Sequence, residues 1–382
     1  MDIGGESVMT NELSEVDKGD FRVFEGKSVL ITGHTGFKGS WLTVWLRSLG
    51  ANVVGLALDP PTSPSHFSST GLSSEIKDLR IDIRDRIAVE KALIAVKPDF
   101  VFHLAGQSLV REAYIHPIET WNINVLGTLN VLEALRKIEN NCAAVIITSD
   151  KCYDNVEWTW GYREIDALGG IDPYSGSKAA AELAIRTHIR SFFSGSNNNV
   201  RIASARAGNV IGGGDWAENR IVPDCVKSWS LNSSVKLRNP MATRPWQHVL
   251  EPLSGYLTLA AKLNLKSELH GEAFNFGPSE TGDFSVISLV EEMSIHWDKV
   301  KYDDISKFKD TYHESELLKL NCDKARHLLN WKSVMNFSET VKMTADWYKS
   351  FYANTSPIIE TTENQITYYC KLAKERELTW AQ

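Results

Sequence analysis

The segment Tyr174-Ser175-Gly176-Ser177-Lys178 sets a phenol and an ammonium one helical turn apart on the same face. A free phenol has a pKa of about 10 and is a poor base at neutral pH. An ammonium beside it favours the phenolate and pulls that value down, so the pair reads as a proton acceptor with its electrostatic partner. Upstream by 25 residues, the apolar run Ala144 to Thr148 ends in Ser149-Asp150-Lys151. The serine offers a hydroxyl that can share a substrate oxygen with Tyr174. Asp150 and Lys151 offer an acid and a base side by side, provided that burial keeps a proton on the carboxyl and strips one from the amine. A solvated Asp-Lys pair after a strand is the plain alternative.

A second group of residues binds rather than reacts. Gly33-His34-Thr35-Gly36-Phe37-Lys38-Gly39 follows the apolar run Val29-Leu30-Ile31-Thr32 and opens a helical pattern. Glycine at those three places suits a tight turn, close approach of a pyrophosphate and close helix–sheet packing. The helix start presents free N–H groups and a positive dipole end to phosphates. Gly33, Thr35, Gly36, Phe37, Lys38 and Gly39 are therefore expected to cradle a dinucleotide. Asp59 ends the second strand candidate, 20 residues after Gly39. A carboxylate there accepts both ribose hydroxyls of NAD and repels the extra phosphate of NADP, although a turn aspartate ahead of Pro60-Pro61 is the other reading. Asp82-Ile83, ending the third candidate, would meet adenine with carboxylate and aliphatic face. A positive nicotinamide would lower the Tyr174 pKa further, and Lys178 can hold its ribose. His103 closes the fourth candidate, before Leu104-Ala105-Gly106-Gln107. It positions cofactor or sugar, or it is a satisfied strand-end histidine; Ala105 and Gly106 leave room for the cofactor ribose.

These residues need a scaffold, and the first half of the chain supplies its pattern. Val53 to Leu58, Phe100 to Leu104, Ala144 to Thr148 and Arg201 to Ala205 are short apolar runs. Trp41 to Leu49, Thr120 to Lys137 and Tyr174 to Ile189 have helical length. Continuous runs suggest strands buried on both faces, and their alternation with helices implies an α/β fold, a Rossmann-type doubly wound parallel sheet. After Ala205, glycine and proline clusters and the run Ala273 to Phe276 suggest a smaller α/β C-terminal lobe that binds substrate. The expected division is a mobile tail over 1–20, a dinucleotide-binding domain over 22–206 to which 246–270 returns, a substrate lobe from 207–245 and 271–355, and an extension over 356–382.

Composition narrows the function. A net charge of -7 argues against a nucleic-acid partner, which needs a basic face. No stretch reaches the roughly 20 apolar residues of a membrane span, and the acidic N-terminus lacks the apolar centre of a secretory signal. The five cysteines, Cys142, Cys152, Cys225, Cys322 and Cys370, are odd in number, and no pair has metal-ligand spacing. No metal is expected, and a cytoplasmic enzyme in a reducing compartment fits best.

The glycine turn, Asp59, Asn124-Val125-Leu126-Gly127, Ser149 and Tyr174-x-x-x-Lys178 together resemble the extended short-chain dehydrogenase/reductase family, the NAD-dependent epimerases and dehydratases. Longer segments are similar to its 4,6-dehydratase branch, and within it to the enzymes acting on CDP-glucose. They are Gly33 to Trp41, Thr148 to Asn155, Arg206 to Trp216 and Arg244 to Pro252. The likeness spans roughly 22–350. Position 106 is glycine where the family leads one to expect alanine, a change expected to matter little.

The resemblance implies tightly bound NAD, with Asn124 and Thr148 joining Leu104 and Gln107 in its site. It implies that Tyr174 takes the proton of the sugar 4-hydroxyl while hydride leaves C4. Ser149 binds the same oxygen, Asp150 and Lys151 remove water across C5 and C6, and hydride returns to C6. By residue type, the nucleotide-sugar would be held by His103, Gln107, Asn209, Val210, Arg220, Arg238, Arg244 and His248, each arginine being otherwise a structural ion pair; Trp158 and Trp160 are candidate walls of the sugar pocket, with aromatic core packing as the safer reading. The resemblance also implies a homodimer or homotetramer built on the helices near 120–137 and 174–189. A nucleotide-sugar 4-epimerase shares everything except the need for Asp150-Lys151. A non-catalytic cofactor-binding regulator would not need the intact tyrosine and lysine.

Overall fold

The computed structural model describes residues 19–195, 198–279, 284–307 and 317–382. The expected tail over 1–20 lies outside them except for Gly19 and Asp20, which open a 3-10 turn running to Phe24.

Stretches of four to seven residues, apolar except for the edge strand β3, form a parallel sheet: β1 (Ser28–Thr32), β2 (Asn52–Ala57), β3 (Lys77–Arg80), β4 (Phe100–His103), β5 (Cys142–Ile147) and β6 (Val200–Arg206). With β11 (Ala273–Asn275) the seven strands lie in the order β11-β6-β5-β4-β1-β2-β3. Their side chains alternate between two cores. Val29, Ile31, Phe100, Phe102 and Val145 enter one, and Leu30, Val101, Ala144, Ile146 and Ile202 the other. A sheet apolar on both faces must be covered on both, as the sequence runs require.

The covering helices are α1 (Phe37–Ser48), α2 (Arg86–Val96), α3 (Thr128–Leu135) and α4 (Pro173–Phe192), with α6 (Leu250–Leu265) returning from the second half to lie on β5 and β6. The helix expected over 120–137 starts earlier, at Pro117, and passes through a π turn, Asn122–Gly127, before α3. The strand order reverses between β1 and β4, so their carboxyl ends leave a crevice there, where ligands bind in such folds.

The smaller lobe is built from short helices and from strands of two or three residues. They are β7 (Val210–Ile211), α5 (Ile221–Ser230), β8 (Val235–Leu237), β9 (Thr243–Arg244) and β10 (Gln247–His248), followed by β12 (Phe284–Ser285), α7 (Val286–His296), β13 (Tyr302–Asp304) and α8 (Asp323–Leu329). They pair as three two-stranded ribbons, β10 with β7, β12 with β9 and β13 with β8.

Two further helices, α9 (Phe337–Ala353) and α10 (Ile358–Glu375), close the chain. A capping box at Asn336 and Glu339 starts α9. Beyond α10, Trp380 stacks on Phe21 at 5.0 Å and meets Trp45 of α1 edge-on at 6.2 Å, so the C-terminal residues complete the core behind the glycine turn. No helix among the described residues is long and apolar enough to cross a membrane.

Candidate active site

Helix α4 fixes the reactive pair. The Asp172 carboxylate accepts from the Tyr174 and Ser175 amides at 2.9 and 3.0 Å, and Pro173 occupies the first helical position, where it needs no donor. Tyr174 is buried, and the Lys178 ammonium lies 6.0 Å from its ring centre. Ser149 leaves the carboxyl end of β5 and caps a 3-10 turn over Asp150–Cys152. Its hydroxyl donates to Asp150 Oδ1 at 2.9 Å, accepts from the Lys151 amide at 3.2 Å, and is hydrogen-bonded to Tyr174. Asp150 is 4% exposed, and its second oxygen accepts from Asn209 Nδ2 at 3.3 Å. Serine, aspartate, tyrosine and lysine thus converge as the sequence suggests.

The expected acidity of the phenol does not hold in the chain itself. Burial pushes Tyr174 up to about 12; the Ser149 hydrogen bond and Arg220 pull it down but do not reverse this. Burial equally presses Lys178 down to about 8, with Cys152 and Glu182 opposing. The protein alone therefore rests with a protonated phenol beside a weakened ammonium.

The glycine turn is as tight as its sequence implies. Gly33 has φ +78°, and a Cβ there would lie 2.7 Å from the Ala105 nitrogen. A Cβ on Gly39 would lie 2.1 Å from the Gly33 carbonyl oxygen. Gly36 caps α1 without a side-chain acceptor, which leaves first-turn amides for an anion. The Thr35 hydroxyl is committed to the Leu58 carbonyl at 3.0 Å, and Phe37 packs on the core. Lys38 faces the cleft, within electrostatic reach of Arg220, Asp150 and Lys178; burial presses it down to about 8. Asp59 stands two residues beyond β2, its carboxylate 92% exposed and 3.6 Å from Arg80.

Several expected contacts are otherwise engaged. β3 ends at Arg80, so Asp82 falls in a turn, where Arg84 takes both its oxygens and holds its carboxyl below the usual range. Ile83 is buried over Gly127 rather than open to a base. His103 is the satisfied strand-end histidine: Nδ1 meets Thr32 Oγ1 at 2.6 Å, Nε2 meets Thr128 Oγ1 at 3.1 Å, and burial presses it down to about 3. The Gln107 side-chain amide is spent on Leu109 and Thr120. Asn124 clamps the Gln107 backbone to Ser177 of α4, and Thr148 donates to Glu182. His248 is wholly buried edge-on to Trp41, out of reach of a surface ligand. At position 106 a Cβ would come within 3.0 Å of Asn124 Oδ1 and 3.1 Å of Lys178 Nζ, so an alanine there requires those side chains to shift by a few tenths of an ångström.

Of the candidate phosphate ligands, Arg220 reaches the cluster, pairing with Asp215 at 2.8 Å and touching Ser108 at 3.2 Å. Arg238 sits just past β8, donating to Asn219 at 3.1 Å, and Arg244 in β9 donates to the Thr243 carbonyl at 2.7 Å. Asn209 takes φ +54° and with Asp150, Gly208, Gln247 and Trp160 lines a cavity of about 390 Å³; Val210 follows it in β7.

A buried network beneath the site escaped the sequence reading. Glu182 of α4 pairs with Arg206 of β6 at 2.7 Å and accepts from Thr148 and Ser204, while Arg206 donates to the Tyr153 hydroxyl at 2.8 Å. Glu182 falls four residues after Lys178, a spacing that could have revealed its face. Gly208 also escaped, because its reason is spatial: a Cβ there would fall 2.0 Å from Asp150 Oδ2.

A parallel sheet with a phosphate-type turn after β1, and serine, tyrosine and lysine gathered at its carboxyl edge, defines a dehydrogenase/reductase of the extended short-chain class. Comparison with known proteins narrows this. The family model described as GDP-mannose 4,6 dehydratase matches residues 30–344, and the chain belongs to that family. It is 45% identical over 346 residues to the CDP-glucose 4,6-dehydratase of Salmonella typhimurium, an alignment covering 89% of this chain and 95% of that one. The CDP-paratose 2-epimerase of Salmonella typhi is more distant, at 25% identity over 84% of this chain and 99% of its own. Among solved structures, epimerase Mth375 of Methanothermobacter thermautotrophicus superposes with a TM-score of 0.72 at 22% identity, covering 89% of this chain and 98% of that one. The dTDP-glucose 4,6-dehydratase of Bacillus anthracis in complex with NAD gives 0.69 at 18%, covering 84% and 96%. At those identities the two structures speak for the fold.

Proposed function

We propose that this chain is an NAD-dependent CDP-glucose 4,6-dehydratase, forming CDP-4-keto-6-deoxyglucose and water. The observation that carries the reading is the buried Asp150 carboxyl, bonded to Ser149 beside Tyr174 and followed by Lys151. A 4-epimerase has no use for an acid at that place. The relative with 45% identity acts on CDP-glucose by its name, which supports cytidine as the base.

The turn at Gly33, Gly36 and Gly39, with the open start of α1, fits the pyrophosphate of NAD, and the exposed Asp59 carboxylate fits its ribose diol. When bound there, NAD supplies the hydride acceptor and later donor that oxidation at C4 and reduction at C6 require. Tyr174 receives the proton of the 4-hydroxyl, and Ser149 holds that oxygen. The 4-ketone acidifies the C5 proton, which Lys151 removes and gives back to C5 once C6 has been reduced. Asp150 protonates the departing 6-hydroxyl, and its burial keeps bulk water from competing for that proton. Arg220, Arg238 and Arg244 supply forked donors to the sugar's diphosphate.

Incubation with CDP-glucose should give a product lighter by one water, seen by mass spectrometry, with UDP-, GDP- and dTDP-glucose turned over far more slowly. An isomer of unchanged mass would mean epimerisation instead. In solvent deuterium, Lys151→Ala should no longer exchange the C5 hydrogen; exchange at the normal rate would remove Lys151 from the base role.

Gly208→Ala tests the placement of Asp150. The new methyl displaces the carboxylate from Ser149 and Asn209, and turnover should fall about 10²-fold, the worth of one positioned acid, in a folded protein. Turnover within threefold of wild type would show that the carboxylate's position is unimportant.

The protein also assembles, on our reading, through the surface that carries Ile118, Trp121 and Leu126 before α3 and Leu183 and Phe192 on α4. All five are exposed, and a self-complementary pair of such faces would cover them in a homodimer or in a homotetramer containing it.

A further inference from the structure

We propose that Ser149 relays one proton per turnover from Tyr174 to Asp150, so that the proton taken from the sugar 4-hydroxyl leaves in the water lost from C6. This rests on the dehydratase reading and adds to it the route by which its acid is reloaded.

The need for a relay follows from counting protons. The O4–H bond breaks and its proton goes to Tyr174, while the C4 hydrogen leaves as hydride. Lys151 takes the C5 proton and later returns it, so it ends as it began. Asp150 gives its proton to the 6-hydroxyl, and the C6–O bond breaks to release water. Hydride then adds to C6. Each cycle thus leaves the phenol with one proton more and the carboxyl with one fewer. The next cycle needs a proton to cross from the first to the second.

Bulk solvent is poorly placed to carry it, because Tyr174, Ser149 and Asp150 are each no more than 7% exposed. Ser149 joins the other two. Its oxygen accepts from the Lys151 amide at 3.2 Å, which occupies one lone pair. One lone pair and one hydrogen remain. The hydrogen goes to Asp150 Oδ1 at 2.9 Å, and the Tyr174 phenol is the other partner. A phenol donating to a serine that donates to a carboxylate is a chain of one polarity, in which each oxygen receives a proton from one side as it gives its own to the other. The ends fit this. Both Asp150 oxygens accept, Oδ1 from Ser149 and Oδ2 from Asn209 Nδ2 at 3.3 Å, as an ionised carboxylate does. Burial pushes the phenol up to about 12, so it rests protonated. The protein alone thus shows the state that calls for the transfer, with the phenol loaded and the acid empty. The receiving end cannot swing away, since a Cβ on Gly208 would fall 2.0 Å from Oδ2. Once its own proton has passed to Asp150, Ser149 carries the hydrogen received from Tyr174 and turns it to the new 4-ketone, so the relay and the grip on that oxygen belong to one hydroxyl.

Ser149→Thr keeps the hydroxyl, and Ser149→Val fills the same space without it, leaving no gap for a water to stand in. Water loss from CDP-glucose by the NAD-loaded enzymes is followed by mass spectrometry at fixed pH and ionic strength, while imidazole or formate is added as a diffusible proton carrier. The Thr variant should keep kcat within about threefold of wild type, and neither should respond to the carriers. The Val variant should be about 10²-fold slower with KM within about threefold, and its kcat should climb about tenfold as carrier is added. Ser149→Ala, which leaves room for a water, should fall between Thr and Val. A serine that only orients the sugar oxygen predicts a slow Val variant indifferent to both carriers, and that result would overturn the relay. So would a Val variant as fast as Thr. A wild type that returns an isomer of unchanged mass overturns the dehydratase reading itself, whereas a wild type that loses water beside a Val variant outside these bounds overturns the relay alone.

Discussion

Tyr174→Phe should lower kcat for water loss from CDP-glucose by about 10³- to 10⁴-fold while leaving the fold and NAD binding intact. The substitution removes one oxygen from a buried ring whose hydroxyl bonds to Ser149. Deleting a hydroxyl that burial already disfavours should change stability by no more than about 1 kcal/mol. Thermal unfolding and fluorescence titration with NAD supply the controls, and mass spectrometry of the product supplies the rate. The effect is large because the phenol, pushed up to about 12 in the chain alone, stands where the 4-hydroxyl proton must go, and phenylalanine offers nothing in its place. Activity within tenfold of wild type would mean that another group accepts that proton.

Glu182→Ala should have the largest effect on stability. Burial alone would raise the Glu182 carboxyl, but the Arg206 charge and its hydrogen bond, with those of Thr148 and Ser204, hold it below the usual carboxylate range. Removing it leaves a guanidinium unpaired between α4 and β6, a loss of about 3–5 kcal/mol by urea unfolding. The double variant Glu182→Leu with Arg206→Met should recover most of that, because two apolar side chains leave no charge behind. The pH dependence follows from the direction of the shift. A carboxyl with a depressed folded pKa contributes its full stability above its unfolded value, about 4.3, and loses it as pH falls through the lower folded value. The wild type should therefore lose stability in acid more steeply than the double variant. Equal acid slopes, or a single variant within 1 kcal/mol of wild type, would sink this account.

The parts of the site that could be read from sequence are those whose chemistry is local. The glycine turn between β1 and α1 and the Tyr174–Lys178 spacing on α4 each lie within one element and its junction, so residue order alone specifies them. The remaining outcomes depend on partners far along the chain. His103 is satisfied by Thr32, 71 positions earlier, and by Thr128, 25 later. Ile83 is drawn inward by the gap over Gly127, and Gln107 is turned inward by Thr120. Spacing says nothing of such partners. The direction of the Tyr174 shift in the chain alone is not legible for a related reason: residue order does not show the depth of burial that pushes the phenol up against the Ser149 hydrogen bond and Arg220. In the smaller lobe, two- and three-residue strands such as β9 and β12 carry too few positions for any period to show.

The stacking of Trp380 on Phe21 and its edge contact with Trp45 have a consequence for synthesis. The helix that starts at the dinucleotide turn is made early but stays bare on its outer side until Trp380 leaves the ribosome. Trp45 and Phe21 therefore lack that cover until the chain has been made through residue 380, so the binding half reaches its final packing only after the substrate lobe has been synthesised.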